Sequence, residues 1–299
     1  MKRKPLAAVA ALALCGALAG QSTPQVRPID SAFLAAPRLT ESSGVAPSSV
    51  IPGVFWTHND SGNEPRLYAI DSAGRDLGLV RVLGATARDW EDLAAGPCVV
   101  APGVCLYIAD IGDNRARRSS VVVYRVREPQ PPRGPWDTLR VARALDSLTL
   151  RFPDRPHDAE AFAVTCSGTA LLVTKDRFGP AVLFRTTVGP GLAPRTLDRV
   201  GALAIRTSVL TGRQATGAAV SPDCRLLVVR TYVSLHLFRL RGDSLPEPLG
   251  PPGGVTIPEV EPQGEAVAFD GPDRLVLTSE GGTAGRGRLT RLRLVLPTR

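Results

Sequence analysis

Short apolar runs, each closed by a cluster of turn formers, recur along the chain from residue 33 onward. Val54-Phe55-Trp56-Thr57 runs into His58-Asn59-Asp60-Ser61-Gly62-Asn63, and Leu106-Tyr107-Ile108-Ala109 into Asp110-Ile111-Gly112-Asp113-Asn114. Leu171 to Thr174 meets Lys175-Asp176, Leu226 to Val229 meets Arg230-Thr231-Tyr232, and Leu275 to Thr278 meets Ser279-Glu280-Gly281-Gly282. Between them lie alternating runs such as Arg66-Leu67-Tyr68-Ala69-Ile70-Asp71 and Leu148-Thr149-Leu150-Arg151-Phe152. Period 2, punctuated by Gly, Pro, Asn and Asp, predicts strands joined by tight turns.

A looser phrase precedes each group of strands. It reads Glu41-Ser42-Ser43-Gly44, Asp89-Trp90-Glu91-Asp92, Asp158-Ala159-Glu160-Ala161, Thr216-Gly217-Ala218-Ala219 and Gln263-Gly264-Glu265-Ala266. The copies are spaced 48, 69, 58 and 47 residues apart. A repeat of that length made of short strands predicts a β-propeller. The expectation is an all-β domain of five four-stranded blades. A sixth blade within residues 127–157 is the alternative, although no sixth copy of the phrase is present. The Pro-rich stretch 128–135 accounts for the longest spacing. The last repeat lacks a fourth strand, and Phe33 to Leu39 is placed to supply it and close the ring.

Residues 1–19 read as a secretory signal peptide: a basic start at Lys2-Arg3-Lys4, an apolar stretch from Leu6 to Leu14, and Ala17-Leu18-Ala19 as cleavage site. Lipidation at Cys15 is the lesser alternative, because Leu14 stands where processing wants a small side chain. Residues 20–31 then form a flexible leader, and 32–299 the propeller. Nothing else is long and apolar enough to span a bilayer. The expected mature protein is exported, to the periplasm or beyond, and monomeric. It keeps four cysteines. Cys98 and Cys105 flank a hairpin-like loop and are expected to pair. Cys166 and Cys224 each lie six residues after the phrase's third position, at matching places in adjacent repeats. They either bridge two blades or remain partly buried thiols.

The formal charge of +8 includes three leader residues, and the basic residues are 33 Arg to 3 Lys. Arg is scattered without aromatic interleaving, which argues against nucleic-acid binding. Lys175 is the only lysine after the leader. In a chain that otherwise writes Arg, a lone Lys points to a need for a compact ammonium.

Topology then gathers the chemistry. First and second strands of a blade are antiparallel, so the start of one and the end of the other share a mouth of the ring. The phrase contributes Asp89, Glu91, Asp92, Asp158, Glu160 and Glu265, with Ala218 as the odd member of the Glu column. The second-strand ends contribute His58, Asp60, Asp110, Asp113, Lys175, Arg230, Tyr232 and Glu280. Many such Asp residues serve as turn caps. Three glutamates in one inner column are different, because clustered carboxylates near a dry axis must be protonated, paired or metal-bound. The expected metal ligands are Asp89, Glu91, Asp113, Asp158, Glu160 and Glu265, with Ca²⁺ the fitting ion and no organic cofactor. The expected ligand contacts are His58, Asp60, Asp110, Lys175, Arg230 and Tyr232, taking a small or anionic molecule. Glu91, Glu160, Lys175, Arg230 and His58 are the candidates for any catalysis.

The motifs His58-Asn59-Asp60-Ser61-Gly62, Asp89-Trp90-Glu91-Asp92, Asp110-Ile111-Gly112-Asp113-Asn114, Asp158-Ala159-Glu160-Ala161 and Thr174-Lys175 together resemble a group of secreted bacterial β-propellers of poorly defined function. That group is distantly akin to phytase-like and esterase-like propellers. The resemblance implies a Ca²⁺-lined mouth acting on phosphate or ester substrates. No Gly-x-Ser-x-Gly elbow is present to support a serine hydrolase. Three functions therefore follow as expectations: a cation and small-ligand binding protein, a metal-dependent phosphoesterase or esterase, or an interaction scaffold using the loop around Trp136.

Overall fold

The computed structural model describes residues 23–129, 140–176, 179–191, 193–206, 210–259 and 261–297. The expected signal peptide, Cys15, and the loop with Trp136 lie outside the described residues. Five blades surround one axis. Their innermost strands are Ser42–Pro47, Trp90–Pro97, Ala159–Val164, Ala215–Val220 and Gln263–Phe269. Each packs beside the next, and the last packs beside the first. These strands are rich in Ala, Gly and Ser because the blades converge here. A Cβ on Gly217 would lie 2.7 Å from the Glu265 carbonyl oxygen.

Second and third strands follow by antiparallel pairing: Val54–Asn59 and Arg66–Asp71, Val104–Asp110 and Val121–Arg127, Thr169–Thr174 and Val182–Thr187, Leu226–Thr231 and Ser234–Arg239, Arg274–Glu280 and Arg288–Val295. The outer layer varies. Asp76–Leu83, Arg140–Arg151 and Asp198–Ala202 serve blades one to three, whereas Glu247–Leu249 and Val255–Thr256 share the edge of blade four. Blades one and two are also joined at their rims. The long strand Arg140–Arg151 pairs in parallel with Asp76–Leu83 through its first residues and antiparallel with blade two through the rest.

The ring is closed by an N-terminal strand, but by an earlier one than Phe33 to Leu39. Gln25–Phe33 pairs antiparallel with Arg288–Val295, Gln25 opposite Val295 and Phe33 opposite Arg288. Most of the expected flexible leader is thus an outer strand. Leu34, Ala36 and Leu39 instead turn inward and are buried between blades five and one. Apolar character marked the segment for the core, not for the sheet edge.

Five apolar clusters fill the five blade interfaces, one each, which fixes the blade number. Trp90 belongs to the interface of blades one and two, beside Trp56, Leu106 and Ile108, and its Nε1 donates to the Thr86 carbonyl at 2.8 Å. Glu128 crosses the same interface, accepting from Ser48 Oγ at 2.5 Å and Trp56 Nε1 at 3.1 Å. Disulfides join Cys98 to Cys105 and Cys166 to Cys224. The second ties blade three to blade four, Cα atoms 6.0 Å apart. Two such bonds belong to an oxidising environment. Among the described residues no helix is long and apolar enough to cross a membrane.

Candidate functional site

Every innermost strand opens with a β-bulge. Pairing skips from Ser42 to Gly44, Trp90 to Asp92, Ala159 to Ala161, Ala215 to Gly217 and Gly264 to Ala266. The residues left out are Ser43, Glu91, Glu160, Thr216 and Glu265. A bulge removes one residue from the ladder and re-aims its side chain, so the Glu column of the sequence is a column of bulges. This register corrects the fourth repeat. Thr216, not Ala218, holds the bulge, and Gln214 takes the place of Asp89 and Asp158. Ala218 instead matches Phe162: both backbone N–H groups donate to Asp92 Oδ2, at 3.0 and 2.8 Å. The same shift puts Cys224 (φ 55°) in the left-handed turn position of Gly168, so the two bridged cysteines do not occupy matching places.

Asp92 is fully buried on the axis, and Leu93 N–H donates to its Oδ1 at 2.8 Å. It pins blades two, three and four together. Burial raises its carboxyl well above the ordinary range against the pull of these three donors.

The mouth brings together Asp60, Asp89, Glu91, Asp158 and Glu160. Ligand oxygens of Asp60, Asp89 and Glu91 lie within 4.8 Å of one another, as do those of Glu91, Asp158 and Glu160. Glu91 is common to both triads and is only 4% exposed. Among the described residues no side chain or backbone donor bonds its carboxylate. Gly112 backs onto it so closely that a Cβ there would lie 2.0 Å from Glu91 Oε1 and 2.6 Å from Asp89 Oδ2. Lys175 Nζ donates to Glu160 Oε1 at 2.5 Å and lies 5.0 Å from the centre of the Tyr232 ring.

The electrostatics follow from crowding in a desolvated place. Burial, then the Glu160 charge, pushes the Glu91 carboxyl well up. Glu160 is also raised by burial, although Lys175 opposes the shift. Burial, then Asp60 and Asp158, raises Asp89 to about 6. Asp60 and Asp158 move up chiefly through burial. Glu265 and Glu280 each reach about 7, burial again being first among the causes. Burial works against the Lys175 ammonium, but Glu160 and Tyr232 override it and raise its pKa. At neutral pH this mouth must keep protons or take a cation. The donors are all hard oxygens in flexible carboxylates, the set that suits Ca²⁺.

Several expected site residues lie elsewhere. Arg230 is fully buried: Nη1 donates to the carbonyls of Ala266 at 2.7 Å and Thr278 at 3.1 Å, and Nη2 binds Glu261. It locks blade four to blade five and receives no anion from the mouth. His58 is fully buried, edge-on to Trp90 at 5.4 Å, with Nδ1 on the Asn59 carbonyl at 2.9 Å. Burial lowers its pKa to about 4, so it is neutral. Asp110 pairs with buried Arg118 at 2.8 Å and also accepts from Arg88 N–H. Asp113 lies in neither triad, and its Oδ2 accepts from Arg118 N–H at 2.6 Å. Glu265 lies in neither triad and accepts from Gln263 Nε2 at 2.8 Å.

A cavity of about 470 Å³ opens beside the carboxylates, lined by Asp158, Lys175, Tyr232, Arg155, Gln214 and Asn114 among others. Gln214 and Arg155 escaped the sequence reading. Gln214 shared its signal with Gln263, two residues before a bulge, but the repeat was set two residues late. Arg155 precedes the third phrase in a turn and carried no signal.

Fold and site together define a five-bladed β-propeller with an acidic mouth. No family model matches the chain, and no curated protein matches it in sequence. Its fold is similar to that of the PQQ-bound aldose sugar dehydrogenase of Streptomyces coelicolor, with TM-score 0.52 and 13% identity over 91% of this chain and 98% of that one. Looser likenesses are to a Xanthomonas campestris gluconolactonase (TM-score 0.44, 14% identity, 84% and 72% covered) and the Malassezia sympodialis allergen Mala s 1 (TM-score 0.47, 11% identity, 88% and 96% covered). At 13% identity the first likeness carries the fold alone.

Proposed function

We propose that the chain is an exported binding protein that holds a hard divalent cation, Ca²⁺ first, among its mouth carboxylates and a small ligand in the adjoining cavity. The observation that carries this is Glu91: buried, without a donor among the described residues, and within ligand distance of four further carboxylates. An ionised carboxylate in that position needs a counter-charge, and among the described residues none forms an ion pair with it. Metal analysis of the purified protein, with thermal shifts in Ca²⁺ and in EDTA, tests the reading. Bound Ca²⁺ and a melting point raised by several degrees are expected. A metal-free protein indifferent to millimolar Ca²⁺ refutes it.

A second reading, a metal-dependent phosphoesterase or esterase, draws on the cavity meeting the carboxylate cluster at Asp158 and Lys175. A bound cation there supplies Lewis-acid and water-activating chemistry. The chain's own part is to orient the substrate with Lys175, Tyr232 and Arg155. Phosphomonoesters, phytate and p-nitrophenyl esters assayed with Ca²⁺ decide this. Turnover that survives both Glu91→Gln and Lys175→Ala places the chemistry elsewhere.

A further inference from the structure

We infer that the mouth contains two adjacent cation seats and that the chain fills one of them with its own Lys175 ammonium, leaving Asp60, Asp89 and Glu91 as the seat for a single divalent cation. The inference rests on the cation-binding reading and specifies it.

The two triads have the same donor chemistry and share Glu91, yet their occupancy by the chain differs. In the second, Lys175 Nζ sits 2.5 Å from Glu160 Oε1, backed by the Tyr232 ring. Asp158 there already accepts the Asp113 N–H at 2.8 Å. In the first, neither Asp60, Asp89 nor Glu91 has an ion-pair partner among the described residues. Among the described residues the one donor on its side chains is the neighbouring Ser61 N–H, on Asp60 Oδ1. Gly112 lets the Glu91 and Asp89 carboxylates sit against the backbone.

A lysine suits this role where an arginine does not. The ammonium is a compact single charge on a flexible stem, whereas a guanidinium is a broad planar fork. Lys175 is the only lysine beyond residue 4, in a chain with 33 arginines. A divalent ion entering the second seat would have to expel the ammonium from Glu160.

Calorimetric titration with Ca²⁺, checked by metal content, reads the arrangement in the full exported chain. One ion per wild-type chain is expected. Asp60→Asn should weaken binding by about tenfold or more, and Asp158→Asn by less than about threefold. Lys175→Met should take up a second ion. Two ions in the wild type, equal losses from Asp60→Asn and Asp158→Asn, or a single ion in folded Lys175→Met would each overturn the inference and leave cation binding standing. No ion in the wild type would overturn both. Should Lys175→Met not fold, the two Asp variants decide the matter.

Discussion

Two cation–carboxylate pairs, Arg230–Glu261 and Lys175–Glu160, stand near the same ends of second strands, two register places apart, and do opposite things. Arg230 is the last residue but one of its strand, opposite Gly217. From there it crosses the blade interface and spends its donors on two carbonyls and a buried Glu261, which Thr290 also holds. Lys175 follows the last residue of its strand and donates to the bulged Glu160 beside the Tyr232 ring, under an open cavity. The planar, many-donor group became a bolt between blades. The point charge became part of the mouth. The two cations differ in chemistry and also in place, since Arg230 matches Val173 in the register and Lys175 matches Tyr232.

The largest loss of stability is expected at Arg230. Arg230→Met leaves Glu261 buried without its partner, and removing one member of such a pair typically costs about 3–5 kcal/mol. Chemical denaturation should register that loss, with the Ca²⁺ affinity of the remaining folded protein little changed. Gly264→Ala attacks the same bolt indirectly. Its Cβ would fall 1.9 Å from Arg230 Nη2. The guanidinium is held by carbonyls on one side and a carboxylate on the other, so it cannot give way, and a loss of about 1–3 kcal/mol is expected.

Lys175→Met should cost less, about 1–2 kcal/mol at pH 7.5, because Glu160 has an escape that a sealed pair lacks: it can take a proton or a cation. Millimolar Ca²⁺ should restore most of the lost stability. Calcium that rescues Arg230→Met equally well would show that the two pairs are not distinct.

This contrast explains what the sequence could and could not disclose. Five blades were legible because apolar period 2 and turn clusters recur regardless of side-chain detail. The acidic mouth was legible because topology alone places first-strand starts beside second-strand ends. Glu91, Glu160 and Asp89 needed nothing more. Gln25–Phe33 was not legible: most of its residues are exposed, so it bears no apolar alternation and exists as a strand only through pairing with Arg288–Val295. Arg230 and His58 were misplaced for another reason. Position in a repeat says which end of a strand a residue occupies, not which way a bulged ladder turns it. Gln214 was hidden by a two-residue slip in a repeat that lacks its glutamate.

The pH dependence separates the regions further. Asp89, Glu265 and Glu280 have folded pKa values of about 6, 7 and 7, above ordinary values of 3.8, 4.5 and 4.5. Such groups bind protons more tightly folded than unfolded, so their contribution is complete below about pH 4 and is lost as pH rises through about 6 and 7. Melting in EDTA should drop by a few degrees over that range. With Ca²⁺ present the drop should shrink, since the ion takes over the protons' role. A melting point that rises from pH 5 to 7 in EDTA would contradict the crowding of the mouth.

Gly112→Ala is expected to have the smallest effect on stability and is the most discriminating test. Its Cβ would approach Glu91 Oε1 at 2.0 Å, nearly the distance that Gly264→Ala imposes on Arg230. Here the obstructed atoms end flexible side chains with no donor among the described residues to hold them. They can swing outward, so the folding loss should stay within about 1 kcal/mol. The displaced carboxylates no longer converge, however, and Ca²⁺ affinity should fall by at least about tenfold, a difference of about 1.4 kcal/mol. Equal denaturation midpoints with unequal calcium titrations would mark Gly112 as part of the seat. A large stability loss with unchanged affinity would mean that Glu91 is fixed in place by the scaffold, as Arg230 is.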